Sequence, residues 1–352
     1  MRLIAILLFV SSVCFGQYAQ DRDGAYVMWG DKYLVGTQGI IPNPPDPPDP
    51  PPPINPGDFE GIVLFDIDFS EQGSPPYVNS TATARSFFPG VSEGNFSRGG
   101  TAVANHPEVD SIVLLAGDPC WRITILDDYA EETGSKYGVE WQVYMEGAAF
   151  NNIQLDFDLY LGSDWDMMDY STGGKLPGIG AADSVGGPPP SAAGYTGAPG
   201  EGFDNKVAYG IDDEIGTYSY VHQMTPYTSG LSRYPYSTNG NGPFVYNTEQ
   251  WYHITLRGKQ NAIGSWDATL ELLVDGVSRM LWTGAKFRDL AITNYDWLPI
   301  EIFAGGTTAP GFAGMSAWID NLVYSVPDYS GTIGIGNTIG DENIPYTYTR
   351  VE

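Results

Sequence analysis

Apolar and polar residues alternate along most of the chain between positions 62 and 325. This two-residue period sends successive side chains to opposite faces of a strand. The pattern opens with Val63-Leu64-Phe65-Asp66-Ile67-Asp68-Phe69, which predicts a strand over 62–69. It returns at 111–115, 121–126, 139–145, 153–161, 207–211, 217–222, 251–256, 268–274, 278–282, 300–303 and 316–325. Clusters of Gly, Pro, Asn and Asp separate these runs, and no long stripe has a helical period. The pattern therefore predicts an all-β sandwich of about a dozen short strands. Asp275-Gly276 is the clearest hairpin turn, joining 270–274 to 278–282. The stretch 179–202, rich in Gly, Pro, Ala and Ser, reads as a long loop able to wall or lid a cleft.

The ends of the chain have a different texture. Residues 1–16 carry Arg2, the apolar run 3–10 and small residues before Gln17, the layout of a secretory signal peptide. The apolar run falls well short of the roughly 20 residues that span a bilayer, so membrane insertion is not expected. A short segment, 17–41, precedes a proline-rich linker over 42–57 whose composition suits a stiff spacer. The main domain is expected over 58–328, followed by a tail, 329–352, with little hydrophobic patterning. With the leader removed, Cys120 is the only cysteine. No intrachain disulfide can then form, and core burial must hold the domain together.

Composition narrows the partners. The 352 residues include Gly 44, Pro 27 and 13% aromatics, and their formal net charge is −27. Such a charge opposes nucleic acid, which needs a basic footprint, and suits a soluble, extracellular monomer. In this background Gly173-Gly174-Lys175-Leu176-Pro177-Gly178 presents one cation just past the run 155–161. Its glycines and proline read as a shaped turn that holds Lys175 for an anionic ligand.

A second constellation lies in Thr217-Tyr218-Ser219-Tyr220-Val221-His222, where the strand period sends Tyr218, Tyr220 and His222 to one face. The strand beginning Lys206-Val207-Ala208-Tyr209 could pair with it through the turn 210–216, bringing Lys206 beside the row. Aromatic rows on sheets are commonly packing, so spacing alone leaves both roles open. His106 and His253 read as ordinary residues. Acidic clusters at Asp164, Asp166 and Asp169, and at Asp212, Asp213 and Glu214, lack the spacing of a known calcium loop. No cofactor is expected, with one structural calcium as the alternative.

These residues carry a family resemblance. Gly173 to Gly178 resembles the signature of polysaccharide lyase family 14, the alginate and glucuronan lyases, related to glucuronan lyase family 20 and a fungal cellulose-induced protein. Trp251-Tyr252-His253-Ile254, Leu272-Leu273-Val274-Asp275-Gly276-Val277, Phe287-Arg288, Phe303-Ala304-Gly305-Gly306 and Ile319-Asp320-Asn321 agree in order with it. The resemblance implies a β-jelly roll, a concanavalin A-like sandwich of two antiparallel sheets with long loops. It also implies cleavage of an acidic polysaccharide by β-elimination on the concave sheet. Carried over by position, Lys175 matches the signature lysine, and Tyr218 and Tyr220 match a Tyr-x-Tyr pair that moves the proton. Lys206 falls where the family has arginine and would help neutralise the substrate carboxylate. His222, Asp204, Arg233 and Arg288 are the expected substrate-binding residues. Asp204 stands where such lyases have serine, and Gly210 where arginine is common. Two other readings are a non-catalytic glycan-binding or adhesin module and a structural surface or virion protein.

Overall fold

The computed structural model describes residues 61–69, 78, 80–99, 110–125, 137–145, 150–165, 174–182, 202–210, 214–225, 228–233, 244–289, 294–304 and 315–327. The expected leader, the segment 17–41, the proline-rich linker, most of the loop 179–202 and the tail lie outside these residues. In chain order the strands are β1 (Gly61–Ile67), β2 (Phe96–Gly99), β3 (Asp110–Leu115), β4 (Asp118–Ile125), β5 (Tyr137–Tyr144), β6 (Asn152–Leu161), β7 (Gly174–Ala181) and β8 (Phe203–Gly210). There follow β9 (Glu214–Thr225), β10 (Thr228–Arg233), β11 (Phe244–Val245), β12 (Trp251–Lys259), β13 (Ala268–Val274), β14 (Val277–Ala285), β15 (Trp297–Ala304) and β16 (Met315–Pro327). One short helix, α1 (Thr81–Arg85), starts where the Ser80 side chain accepts a hydrogen bond from the Thr83 amide. No helix among the described residues is long and apolar enough to cross a membrane.

The strands make two eight-stranded antiparallel sheets, the jelly-roll sandwich expected from the alternation and the resemblance. The first runs β14-β13-β12-β6-β16-β4-β3, with β1 also paired to β16. The second runs β10-β9-β8-β7-β15-β5-β2, with β11 also on β9. Alternation dictates what lies between them. On β6, Leu155, Phe157, Leu159 and Leu161 are fully buried in the core shared with Val139, Trp141, Val143, Ile300 and Ile302. Burying each such side chain stabilises the fold by roughly 1.5–3 kcal/mol before entropy is counted. The Asp275-Gly276 turn is the expected hairpin: both residues have positive φ, 52° and 72°, which a tight turn with the twist of its strands requires.

A buried ionic clamp ties the sheets together. Asp110 on β3 accepts hydrogen bonds from Trp121 Nε1 at 2.8 Å and from Trp141 Nε1 at 3.3 Å, and Arg98 Nε reaches it at 2.8 Å. The two indoles, one from each sheet, stack with centroids 4.1 Å apart. Burial pushes the Asp110 carboxyl up, and Arg98 and the indole donors oppose that shift.

The structure corrects the reading of 173–178. Lys175 sits inside β7, a central strand of the second sheet, and not on a turn. Gly174, Gly178 and Gly180 are not among the positive-φ glycines, so conformational freedom is not what they supply. They supply space. A Cβ on Gly174 would lie 1.7 Å from the Tyr209 ring, one on Gly178 would lie 2.8 Å from Lys206 Cγ, and one on Gly180 would lie 2.7 Å from the Trp297 indole. Pro177 has no N–H to give the ladder, and the pairing with β8 slips between Lys175 and Gly178. The same strand absorbs residues 179–181, which composition assigned to the loop.

Candidate functional site

The register of the second sheet gathers Lys175, Asp204, Lys206, Tyr218 and Tyr220 on its outward face. In the β8–β9 pair Lys206 lies opposite Tyr218 and Asp204 opposite Tyr220. In the β7–β8 pair Gly178 lies opposite Lys206, and Lys175 lies opposite Ala208. Their strand neighbours Val207, Thr217, Ser219 and Val221 point inward and are buried, as the two-residue period requires. The expected pairing therefore forms and sets Lys206 beside the tyrosines.

Tyr218 and Tyr220 touch through their hydroxyls at 2.6 Å, with rings edge to face at 5.0 Å. Lys175 Nζ stands over the Tyr218 ring, 5.1 Å from its centroid. Burial, the hydrogen bond that Tyr220 gives to Tyr218 and the charge of Asp204 push the Tyr220 phenol well above its ordinary range, so it stays protonated at neutral pH.

Lys206 is already engaged. Its ammonium lies 2.8 Å from Asp204 Oδ2 and 2.6 Å from Glu301 Oε1, with all three side chains almost fully buried. Burial works against the Lys206 charge, but Asp204, Glu301 and Glu140 more than offset it and hold the group protonated. Burial also raises Asp204 to about 6, against the pull of Lys206, and raises Glu301 above the carboxylate range for the same reason. Trp297 closes this side, with Lys206 Nζ 5.5 Å from its ring centroid. Two lysines thus meet three carboxylates, a formal charge of −1, and one proton held within the acidic group brings the face near neutral.

The remaining candidates are placed as follows. Arg233 ends β10 directly opposite Tyr218 in the backbone register, and His222 lies on β9; their side chains are outside the described residues. Arg288 belongs to a loop network of its own: Nη1 donates to Asn294 Oδ1 at 2.5 Å, Nη2 to Asn151 Oδ1 at 3.1 Å and Nε to Asn261 O at 3.2 Å. Among the acidic clusters, Asp164 Oδ1 accepts from the Ser316 amide, while Asp166, Asp169, Asp212 and Asp213 are outside the described residues. No group of three or more metal-ligating side chains occurs among the described residues.

Sequence reasoning missed Glu301, Glu140 and Trp297. The signal was present: in Trp297-Leu298-Pro299-Ile300-Glu301-Ile302 the apolar residues alternate with a tryptophan and an acid, and Val139-Glu140-Trp141-Gln142-Val143 repeats the pattern. Pairing of β15 with β5 sets Glu301 opposite Glu140 on the face that carries Lys206.

The fold agrees with solved structures. An alginate lyase, Aly36B, solved as a variant with alginate trisaccharide, is 18% identical with a TM-score of 0.52 over 75% of this chain and 98% of its own. A marine alginate lyase from Aplysia kurodai is 15% identical with a TM-score of 0.52 over 75% of this chain and 99% of its own. No curated protein matches the chain at a significant level. A sequence profile described as polysaccharide lyase 14 matches residues 123–314, more than half of the chain, and includes the lysine strand, the tyrosine pair and Glu301. With that match and this sheet face in agreement, the chain belongs to the polysaccharide lyase 14 family.

Proposed function

We propose that this protein cleaves a uronate-containing polysaccharide by β-elimination on the outward face of the second sheet, with Tyr218 as the proton-transfer group. The observation that carries the reading is the 2.6 Å Tyr218–Tyr220 hydroxyl pair with Lys175 over the Tyr218 ring. Because Tyr220 keeps its proton, it donates to Tyr218 Oη whenever Tyr218 is ionised, and the Lys175 ammonium stabilises the same phenolate.

The reaction then balances without a further reagent. Tyr218 phenolate takes the C5 proton next to the uronate carboxylate, and Lys175 neutralises the charge that builds on that carboxylate. The C4–O4 bond breaks as a C4–C5 double bond forms, and Tyr218 returns its proton to the departing O4. Lys206 is a positioning residue in this scheme: matched by Asp204 and Glu301, it fixes the charge beside Tyr220. The leader pattern in residues 1–16 supports an extracellular place of action, and an acidic polysaccharide as the partner.

The test follows the ultraviolet absorbance of the unsaturated uronate product on alginate, glucuronan and other acidic glycans. Tyr218→Phe should lower turnover by at least about 100-fold, the low end for a positioned proton-transfer group, with circular dichroism unchanged. Near-native turnover in that variant sinks the assignment. The matched Lys206 charge favours one second reading, a glycan-binding module. That reading expects saturable binding with no product, and binding that survives Tyr220→Phe.

A further inference from the structure

The outward face continues past Trp297 toward β2, and a pocket opens there. It has a volume of about 250 Å³ and is lined by Asn95, Ser97, Gln142, Tyr144 and Trp297 among others. That size is just below the roughly 300 Å³ at which small-molecule sites begin, a scale suited to one sugar ring. Trp297 and Tyr144 are direct cross-strand partners, as are Ser97 and Gln142, so four of these side chains rise from three adjacent strands. Trp297 lines this pocket and also stands beside Lys206, which makes the pocket the next position along the same face.

Its chemistry differs from that around Tyr218. The described lining residues contain no Lys, Arg or His. They offer hydroxyls, amides and aromatic surface, the groups that hold an uncharged sugar through hydrogen bonds and ring packing. The Gln142 amide is set by two neighbours: Nε2 donates to Glu140 Oε1 at 2.5 Å, and Oε1 accepts from Ser97 Oγ at 3.2 Å. Among the described residues, the charged groups beside the lining are Glu140, next to Gln142, and Glu93, which immediately precedes Gly94 and pairs with Arg85 at 4.0 Å. Beside Trp297 stands Lys206, which Asp204 and Glu301 already match. A carboxylate placed here would give up its water beside Glu140, while Arg85 and Lys206 are already paired with acids, an arrangement that disfavours it.

We propose that this pocket is a subsite for a neutral sugar, so that the preferred substrate is a heteropolymer in which a uronate is flanked by uncharged residues. The inference rests on the catalytic reading above and adds the substrate class to it. A uronate sits against Lys175 and Tyr218, and its neighbour packs on Trp297 and Tyr144.

Two measurements test it. Product formation is compared on homopolyuronates (alginate and glucuronan) and on polymers whose glucuronate is separated by neutral sugars (hyaluronan and gellan). The expected kcat/KM is about tenfold or more higher on the spaced polymers, the worth of roughly two net hydrogen bonds. Gln142→Lys, which puts a cation in the pocket, should narrow or invert that ratio. Equal or better cleavage of the homopolyuronates by the native enzyme, or an unchanged ratio in Gln142→Lys, overturns the proposal while leaving the catalytic reading intact. If no polymer is cleaved, the catalytic reading fails, and calorimetric binding of cellotriose against alginate trisaccharide decides the subsite. Tighter cellotriose binding that Tyr144→Ala weakens about tenfold upholds it; tighter trisaccharide binding, or no effect of Tyr144→Ala, overturns it. Thermal midpoints of both variants verify that they fold.

Discussion

Replacing Lys206 with methionine tests the electrostatic account of the site most directly. The change keeps the length of the apolar stem that lies against Gly178 but removes the ammonium from between Asp204 and Glu301, whose side chains are 4% and 0% exposed. Taking one partner from a buried ion pair costs about 3–5 kcal/mol, because the remaining charge stays in a medium that solvates it poorly. Asp204 Oδ1 and Glu301 Oε2 already accept no hydrogen bond among the described residues, so little is left to replace the lost partner.

The loss must depend on pH. Without Lys206, both carboxyls rise further above their unfolded values near 4, so the folded protein binds more protons than the unfolded chain. Stability contributed by a raised acid is complete below the unfolded pKa and is lost as pH rises through the folded one. Lys206→Met should therefore be mild at pH 5, grow as pH rises through about 6 for Asp204, and be largest at pH 9, above the value of about 8 that Glu301 has even with Lys206 present. At about 2–4 °C per kcal/mol for a domain of this size, the midpoint falls by roughly 6–20 °C at the higher pH. Thermal melts of native protein, Lys206→Met and Lys206→Met/Glu301→Gln across pH 5–9 provide the assay. The double variant should recover much of the loss by removing one stranded charge. Equal destabilisation at both pH values, or a loss under about 1 kcal/mol at pH 9, refutes a matched buried charge at this position.

Other outcomes follow from the same coordinates. His253 lies on the opposite sheet, with Nδ1 2.7 Å from Asp158 Oδ1 and Nε2 3.6 Å from Asp156 Oδ1; burial opposes its charge, but these carboxylates raise it to about 9. Its stabilising contribution is complete below pH 6.5 and declines as pH rises through about 9, so His253→Gln should flatten the midpoint-versus-pH curve between pH 6.5 and 9. An unchanged curve would argue that the imidazole is neutral. Gly174→Ala should cost about 1–3 kcal/mol or more, because its methyl would overlap the buried Tyr209 ring. A native midpoint would show that Tyr209 has room to move. Asp110→Asn turns an acceptor of Trp121, Trp141 and Arg98 into a mixed donor and should destabilise by about 3–5 kcal/mol, read by chemical denaturation.

The sequence by itself determined the class of the fold and half of the site. A two-residue apolar period admits only strands with one face buried, so the sandwich and the Asp275-Gly276 hairpin were legible before any coordinates. The same local rule put Tyr218 and Tyr220 on one face and paired them with Lys206, because a hairpin's register depends on residues close together in the chain. Tertiary structure decided the rest. Gly174, Gly178 and Gly180 look like turn residues until Tyr209, Lys206 and Trp297 are seen to occupy the space their missing side chains leave. Glu301 and Glu140 become partners of Lys206 only because β15 lies between β7 and β5, a strand order that no local pattern encodes. Local chemistry thus specified the tyrosines and lysines of the candidate site, while long-range pairing fixed the charge around them.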